Sequence, residues 1–120
     1  MSNLYSINLV ILNNNLENIT KDISIECLEV FDRLFKALSY INNLKEFEIN
    51  ETCHKIIKFQ NIIPNNKDLD GLYIIYDKNI NKFNIYIKKT VENIGYLYNT
   101  VNTKIDYIGF IEIIKSNISF

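Results

Sequence analysis

Apolar side chains recur along most of this chain at every second position or in short β-branched blocks, with one break in the rhythm. Residues 4–12, LYSINLVIL, form such a block. The polar cluster NNNLEN closes it, which predicts a strand followed by a turn. Between about 24 and 41 the period changes. Cys27, Leu28, Phe31, Leu34, Phe35, Leu38 and Ile41 recur at spacings of three and four, the stripe of an amphipathic helix lying on a core. Thr20, Asp22 or Ser24 can cap its start, Glu26 and Glu29 suit its positive end, and Asn42 and Asn43 can stop it.

Alternation then returns. In KEFEINETCHKIIKFQ, residues Phe47, Ile49, Cys53, Ile57 and Phe59 share one phase. Glu51 and Lys55 interrupt it, so the segment reads as one bent strand or two short ones. NIIPNNKDLDG holds the only proline and an Asp-Gly pair, and is expected to be a loop. A hairpin follows, with Leu72, Ile74 and Tyr76 before the turn DKNINK and Phe83, Ile85 and Ile87 after it. Symmetric closure sets Tyr76 opposite Phe83 and Ile74 opposite Ile85. On the other face Tyr73 meets Tyr86, with Lys88 in the same phase as Tyr86. A second hairpin is expected to join NIGYLYN to IDYIGFIEII through TVNT, pairing Tyr96 with Tyr107 and Tyr98 with Ile105.

The order of strand, long helix and further strands predicts one α+β domain over residues 1–120. Its N-terminal strand and one long amphipathic helix would pack on a curled antiparallel sheet of four to five strands. That order is similar to the cystatin-type architecture in topology alone. The Gln-x-Val-x-Gly hairpin motif of that family is absent, so the resemblance implies a fold and no protease inhibition.

Composition narrows the function classes. The chain has 120 residues, 48% hydrophobic and 22% charged, with a formal charge of -1, so no global attraction to phosphate backbones or anionic lipid is expected. Ile, Asn, Lys, Tyr and Phe dominate while Trp is absent and Pro occurs once, a bias that points to an AT-rich viral or parasite genome in which Lys often stands where Arg would serve. Two cysteines are too few for the disulfide framework of a small secreted domain, and INLVIL lacks the flanks of a signal peptide. No apolar run approaches the roughly 20 residues of a membrane span. The expected setting is cytoplasmic or virion-associated, with reduced thiols and no membrane contact.

The candidate chemistry is sparse. Cys53 and His54, the only histidine, are neighbours. Adjacent strand residues point to opposite faces, which argues against a thiol and its base; Cys53 is expected to pack and His54 to lie at the surface. Together with Cys27 they supply at most three metal ligands without paired spacing, so neither metal nor cofactor is expected. Glu46 with Glu48, and Asp68 with Asp70, read as strand surface and turn. No phosphate-binding loop, nucleophile elbow or metalloprotease helix occurs. The chain is therefore expected not to be an enzyme. A thiol enzyme on Cys53 and His54 is the weakest alternative.

IDYIGFIEII has apolar residues on both faces, and one helix covers only one face of a sheet. The leading expectation is accordingly a protein-protein interaction module, a homo-oligomer or small accessory subunit of a larger assembly. Its interface is placed on Tyr73, Tyr86, Ile108 and Phe110. The alternative is a nucleic-acid or ribosome-associated factor using Lys55, Lys58, Lys78, Lys82, Lys88 and Lys89 as phosphate contacts.

Overall fold

The structure, a computed structural model, describes residues 2–14, 21–49, 52–59, 64, 68–79, 81–95, 97 and 99–118. Seven strands and one helix follow in the order β1 Ser2–Asn14, β2 Lys21–Phe31, α1 Leu34–Asn42, β3 Glu46–Ile49, β4 Thr52–Phe59, β5 Gly71–Asp77, β6 Lys82–Ile94 and β7 Asn99–Ile118. The strands form one sheet in the order β2-β1-β7-β6-β5-β4-β3. It curls into a half-barrel. Neighbours run antiparallel except for β4 and β5, which are parallel. With seven strands and one nine-residue helix among the described residues, the expected α+β domain with one long helix on four to five strands is corrected to a mostly β fold.

The error lies in residues 24–31. They form β2, and only Leu34–Asn42 is helical. β1 is hydrogen-bonded to β7 on one side, and its other side carries backbone groups that need partners. β2 supplies them through ten pairs, from Tyr5 with Phe31 to Asn14 with Lys21. The helical spacing has a local cause in that ladder. Its register shifts between Ile7, opposite Glu29, and Asn8, opposite Cys27, leaving Leu28 as the extra residue of a bulge. Leu28 and Phe31 both pack against the core as a result, at a spacing of three that a regular strand never shows.

Pairs opposite each other share a face, so the inner face can be read from the register. Ile7, Leu9 and Ile11 of β1, Ile111 of β7, Ile85 of β6 and Leu72 and Ile74 of β5 form one buried cluster. Phe47 and Ile49 from β3 and Ala37 and Ile41 from α1 complete it. The helix has no side-chain cap at Arg33. It is held by those two buried residues and by the Lys36–Asp32 ion pair at 2.9 Å.

The β5–β6 hairpin has the expected register, with Tyr73 opposite Tyr86, Ile74 opposite Ile85 and Tyr76 opposite Phe83. Its turn is helped by Asn81, at φ 53°, and by Asp77 Oδ1, which accepts from the Asn79 N–H at 3.0 Å. The segment 46–59 is two strands forming a hairpin. The second expected hairpin is displaced: β6 and β7 are its strands, Ile94 faces Asn99, Tyr107 faces Tyr86 and Ile105 faces Lys88. Tyr96 and Tyr98 lie outside the described residues. β7 is long enough to serve two neighbours, pairing β1 through residues 109–118 and β6 through 99–111. That central position accounts for much of its two-sided apolarity. Beyond Lys88, β6 and β7 pair only with each other in the ladders described, and the molecule measures 71 × 33 × 27 Å.

Candidate interaction surface

The outer face of the sheet is built from rows that run across the strands. One row reads Ile25, Val10, Phe110, Asn84 and Ile75, each residue paired with the next. A second reads Tyr107, Tyr86 and Tyr73. Phe110 is half-buried, with Lys82 Nζ 4.0 Å from its ring centroid. Lys82 also stands 4.0 Å from Glu112. The rings of Tyr86 and Tyr107 lie 5.5 Å apart in a tilted arrangement, a favourable aromatic geometry. Asn84 Oδ1 is buried in the middle of the first row with no hydrogen-bond partner among the described residues.

The β5 end of this face is sealed. Tyr73 is fully buried and its hydroxyl donates to the Leu69 carbonyl at 2.5 Å. Burial, with the charges of Asp68 and Asp70 nearby, pushes that phenol above its ordinary pKa. Lys88 is 1% exposed. Its Nζ donates to the Asp68 carbonyl and lies 3.3 Å from Asp70 Oδ1. Asp70 accepts from the Thr90 hydroxyl at 2.7 Å and the Thr90 N–H at 2.9 Å. Those Thr90 bonds, reinforced by Lys88, hold the Asp70 carboxyl below its usual pKa. The residues 68–70 thus close over a buried tyrosine and a buried lysine.

Of the four residues expected to form an interface, Tyr86 and Phe110 lie half-buried on the outer face. Tyr73 is covered, and Ile108 packs against the inner core. The β7 register explains Ile108: the ladder shifts between Ile85, opposite Gly109, and Tyr86, opposite Tyr107, which makes Ile108 an extra residue. Gly109 beside it is required by close approach, because a Cβ there would sit 2.0 Å from the Val10 carbonyl oxygen.

The β2 end is bare. Ile23 and Ile25 are 60% and 70% exposed, and Val30 is exposed beside them. β2 is the sheet edge, hydrogen-bonded to β1 alone. Along residues 23–31 it has no lysine, arginine or proline; Glu26, Glu29 and the bulge at Leu28 are its edge-protecting features, and Lys21 and Asp22 stand at its start. β3 at the opposite edge has four residues, with Phe47 and Ile49 buried and Glu46 and Glu48 exposed.

The other expected sites separate in space. Cys53 is exposed rather than packed, because the β3–β4 register puts it opposite Glu48 while His54 shares the inner side of Phe47. Partial desolvation, a hydrogen bond with Glu46 and the charges of Glu46 and Glu48 raise its thiol pKa, which disfavours the reactive thiolate. Cys27, expected on a helix core stripe, is exposed on β2. Among the described residues no three His, Cys, Asp or Glu side chains gather as a metal site. No helix among them is long and apolar enough to cross a membrane.

The six lysines do not converge either. Lys55 faces Glu46, Lys78 lies at the β5–β6 turn and Lys89 beyond the other end of that hairpin. Lys82 is engaged by Glu112 and Phe110, and Lys88 is buried. The side chain of Lys58 lies outside the described residues.

Sequence reasoning missed Ile23, Ile25 and Val30, although β-branched residues alternating in ISI are a strand signal. It also missed a cleft of about 630 Å³ between α1 and the sheet. No protein-family model, no curated protein and no solved structure matches this chain.

Proposed function

We propose that this chain is a non-enzymatic association module that joins a second copy of itself by extending the sheet at β2. The observation that carries this reading is the exposure of Ile23 and Ile25, 60% and 70%, on a strand paired along one side only. A two-fold axis through Ile25 pairs the strands antiparallel. Ile25 then meets its own copy, Ile23 meets Cys27 and Ser24 meets Glu26, so no like charges face each other across this stretch. The two outer faces become continuous.

The magnitudes set the expected strength. Four isoleucines with about two thirds of their area still to bury contribute at most ~4–8 kcal/mol. Association itself costs ~4–15 kcal/mol. Ladder hydrogen bonds and flanking contacts near Phe110 must therefore contribute, and a micromolar dissociation constant is expected. Light scattering coupled to size exclusion tests the reading. A mass near twice 14.2 kDa that falls on dilution supports it; a monomer at every concentration up to the solubility limit refutes it.

A further inference from the structure

We infer that the cleft between α1 and the inner face of the sheet binds an amphiphilic monocarboxylate, an acyl chain with one anionic head. The cleft stands apart from the β2 edge and does not depend on self-association. Its volume of about 630 Å³ falls within the ~300–1,000 Å³ of small-molecule sites. At ~30 Å³ per water-sized volume it holds about 20 non-hydrogen atoms. That suits a medium or long acyl chain and is too small for a docked helix, whose diameter alone is about 10 Å.

Each wall contributes two large apolar side chains. Leu34 and Leu38, one helical turn apart, line it from α1 and are 46% and 38% exposed. Phe83 and Ile113 line it from the sheet. The helix buries Ala37 and Ile41 in the core, so Leu34 and Leu38 form a second apolar stripe that the fold leaves uncovered.

Neutral polar groups also line the cleft, Asn42 and the Tyr76 hydroxyl that donates to Asn81 Oδ1 at 2.8 Å, but the charge lies in one row. Tyr5 of β1 and Lys115 of β7 are direct cross-strand partners, one row beyond Ile7 and Ile113 on the same face. Among the described residues lining the cleft, Lys115 alone is charged. No carboxylate is paired with it among the described residues. A carboxylate at this row meets an ammonium and a phenolic O–H together, while its chain lies between Leu34, Leu38, Phe83 and Ile113. A single cation beside an apolar trough selects one negative charge, unlike the several cations and stacking surfaces that a polyphosphate or nucleic acid requires.

Calorimetric titration with dodecanoate, dodecanol and dodecyltrimethylammonium, each below its micellar concentration, tests the site. Dodecanoate is expected to bind once per chain and at least tenfold more tightly than the other two. Lys115→Glu should remove that preference, and Leu38→Asp should abolish binding of dodecanoate and dodecanol alike. Both residues are exposed, and circular dichroism confirms that each variant is folded. Absence of saturable dodecanoate binding overturns the proposal, as does equal affinity for the three head groups or a Lys115→Glu chain that retains the preference. The head-group series on the unaltered chain decides the matter even where a variant fails to fold.

Discussion

The two flanks of this sheet treat their exposed surface in opposite ways. On the β3–β5 flank the edge strand is short, its Phe47 and Ile49 turn into the core and Glu46 and Glu48 face outward. Residues 68–70 close over Tyr73 and Lys88 nearby. On the β1–β2 flank the edge strand has eleven residues and offers Ile23, Ile25 and Val30 to solvent. Charge placed outward on a short strand blocks further pairing, whereas β2 exposes β-branched residues on one face and holds Glu26 and Glu29 opposite Leu9 and Ile7 on the other. Glu26 and Glu48 both line a small gap between the flanks. Like charges at such a gap do not favour direct pairing of β2 with β3.

The largest expected effect comes from removing the support of the open flank. Gly109→Ala drives a Cβ into the Val10 carbonyl and pushes β1, with β2 behind it, away from β7. A loss of about 3 kcal/mol or more is expected in urea unfolding. An unchanged midpoint would show that the strands separate there without penalty.

Guarding the open edge comes next. Ile25→Lys places two ammonium groups across the proposed two-fold and should weaken the dimer about 100-fold, or ~2.7 kcal/mol, without altering monomer stability by more than ~0.5 kcal/mol. Sedimentation velocity reads the first effect and urea unfolding the second. In the dimer Cys27 is covered while Cys53 is not, so alkylation of Cys27 alone should slow as protein concentration rises.

The converse change removes the guard from the other edge. Glu46→Val with Glu48→Val should produce species larger than a dimer, visible as a rising scattering mass. It should also bring the Cys53 thiol toward its ordinary pKa, because those carboxylates help to raise it. Faster Cys53 alkylation at mildly alkaline pH checks this independently.

The smallest effect concerns the seal. Asp70 has a folded pKa below its unfolded value, so its contribution to stability is complete above about pH 3.9 and is lost as pH falls through the lower folded value. Asp70→Asn should remove this acid-dependent part of the stability curve. A titration of unfolding against pH that is identical for the two chains would refute the role given to Thr90 and Lys88.

Much of the β structure was legible. The hairpin register from Tyr73–Tyr86 to Tyr76–Phe83 follows from alternation and from a turn rich in Asn and Asp, because both are properties of neighbouring residues. β1 and the division of 46–59 into two short strands follow for the same reason, while most of the loop expected before Gly71 lies outside the described residues. The cleft was hidden: its walls come from β1, α1, β5, β6 and β7, and no contiguous stretch of chain contains it.

Local pattern therefore determined which segments are apolar, where most turns fall and which chemistries lack a motif. The tertiary structure alone decided whether residues 24–31 became helix or strand, since the spacing of Leu28 and Phe31 fits both and the open side of β1 selected the strand. It also decided which tyrosine is buried. Tyr73 and Tyr86 are equivalent in pattern and directly opposite each other, yet a carbonyl from residue 69 reaches only the first. Alternation assigns a side chain to a face of the sheet; what covers that face depends on segments distant in sequence, and their arrival is a matter of long-range packing.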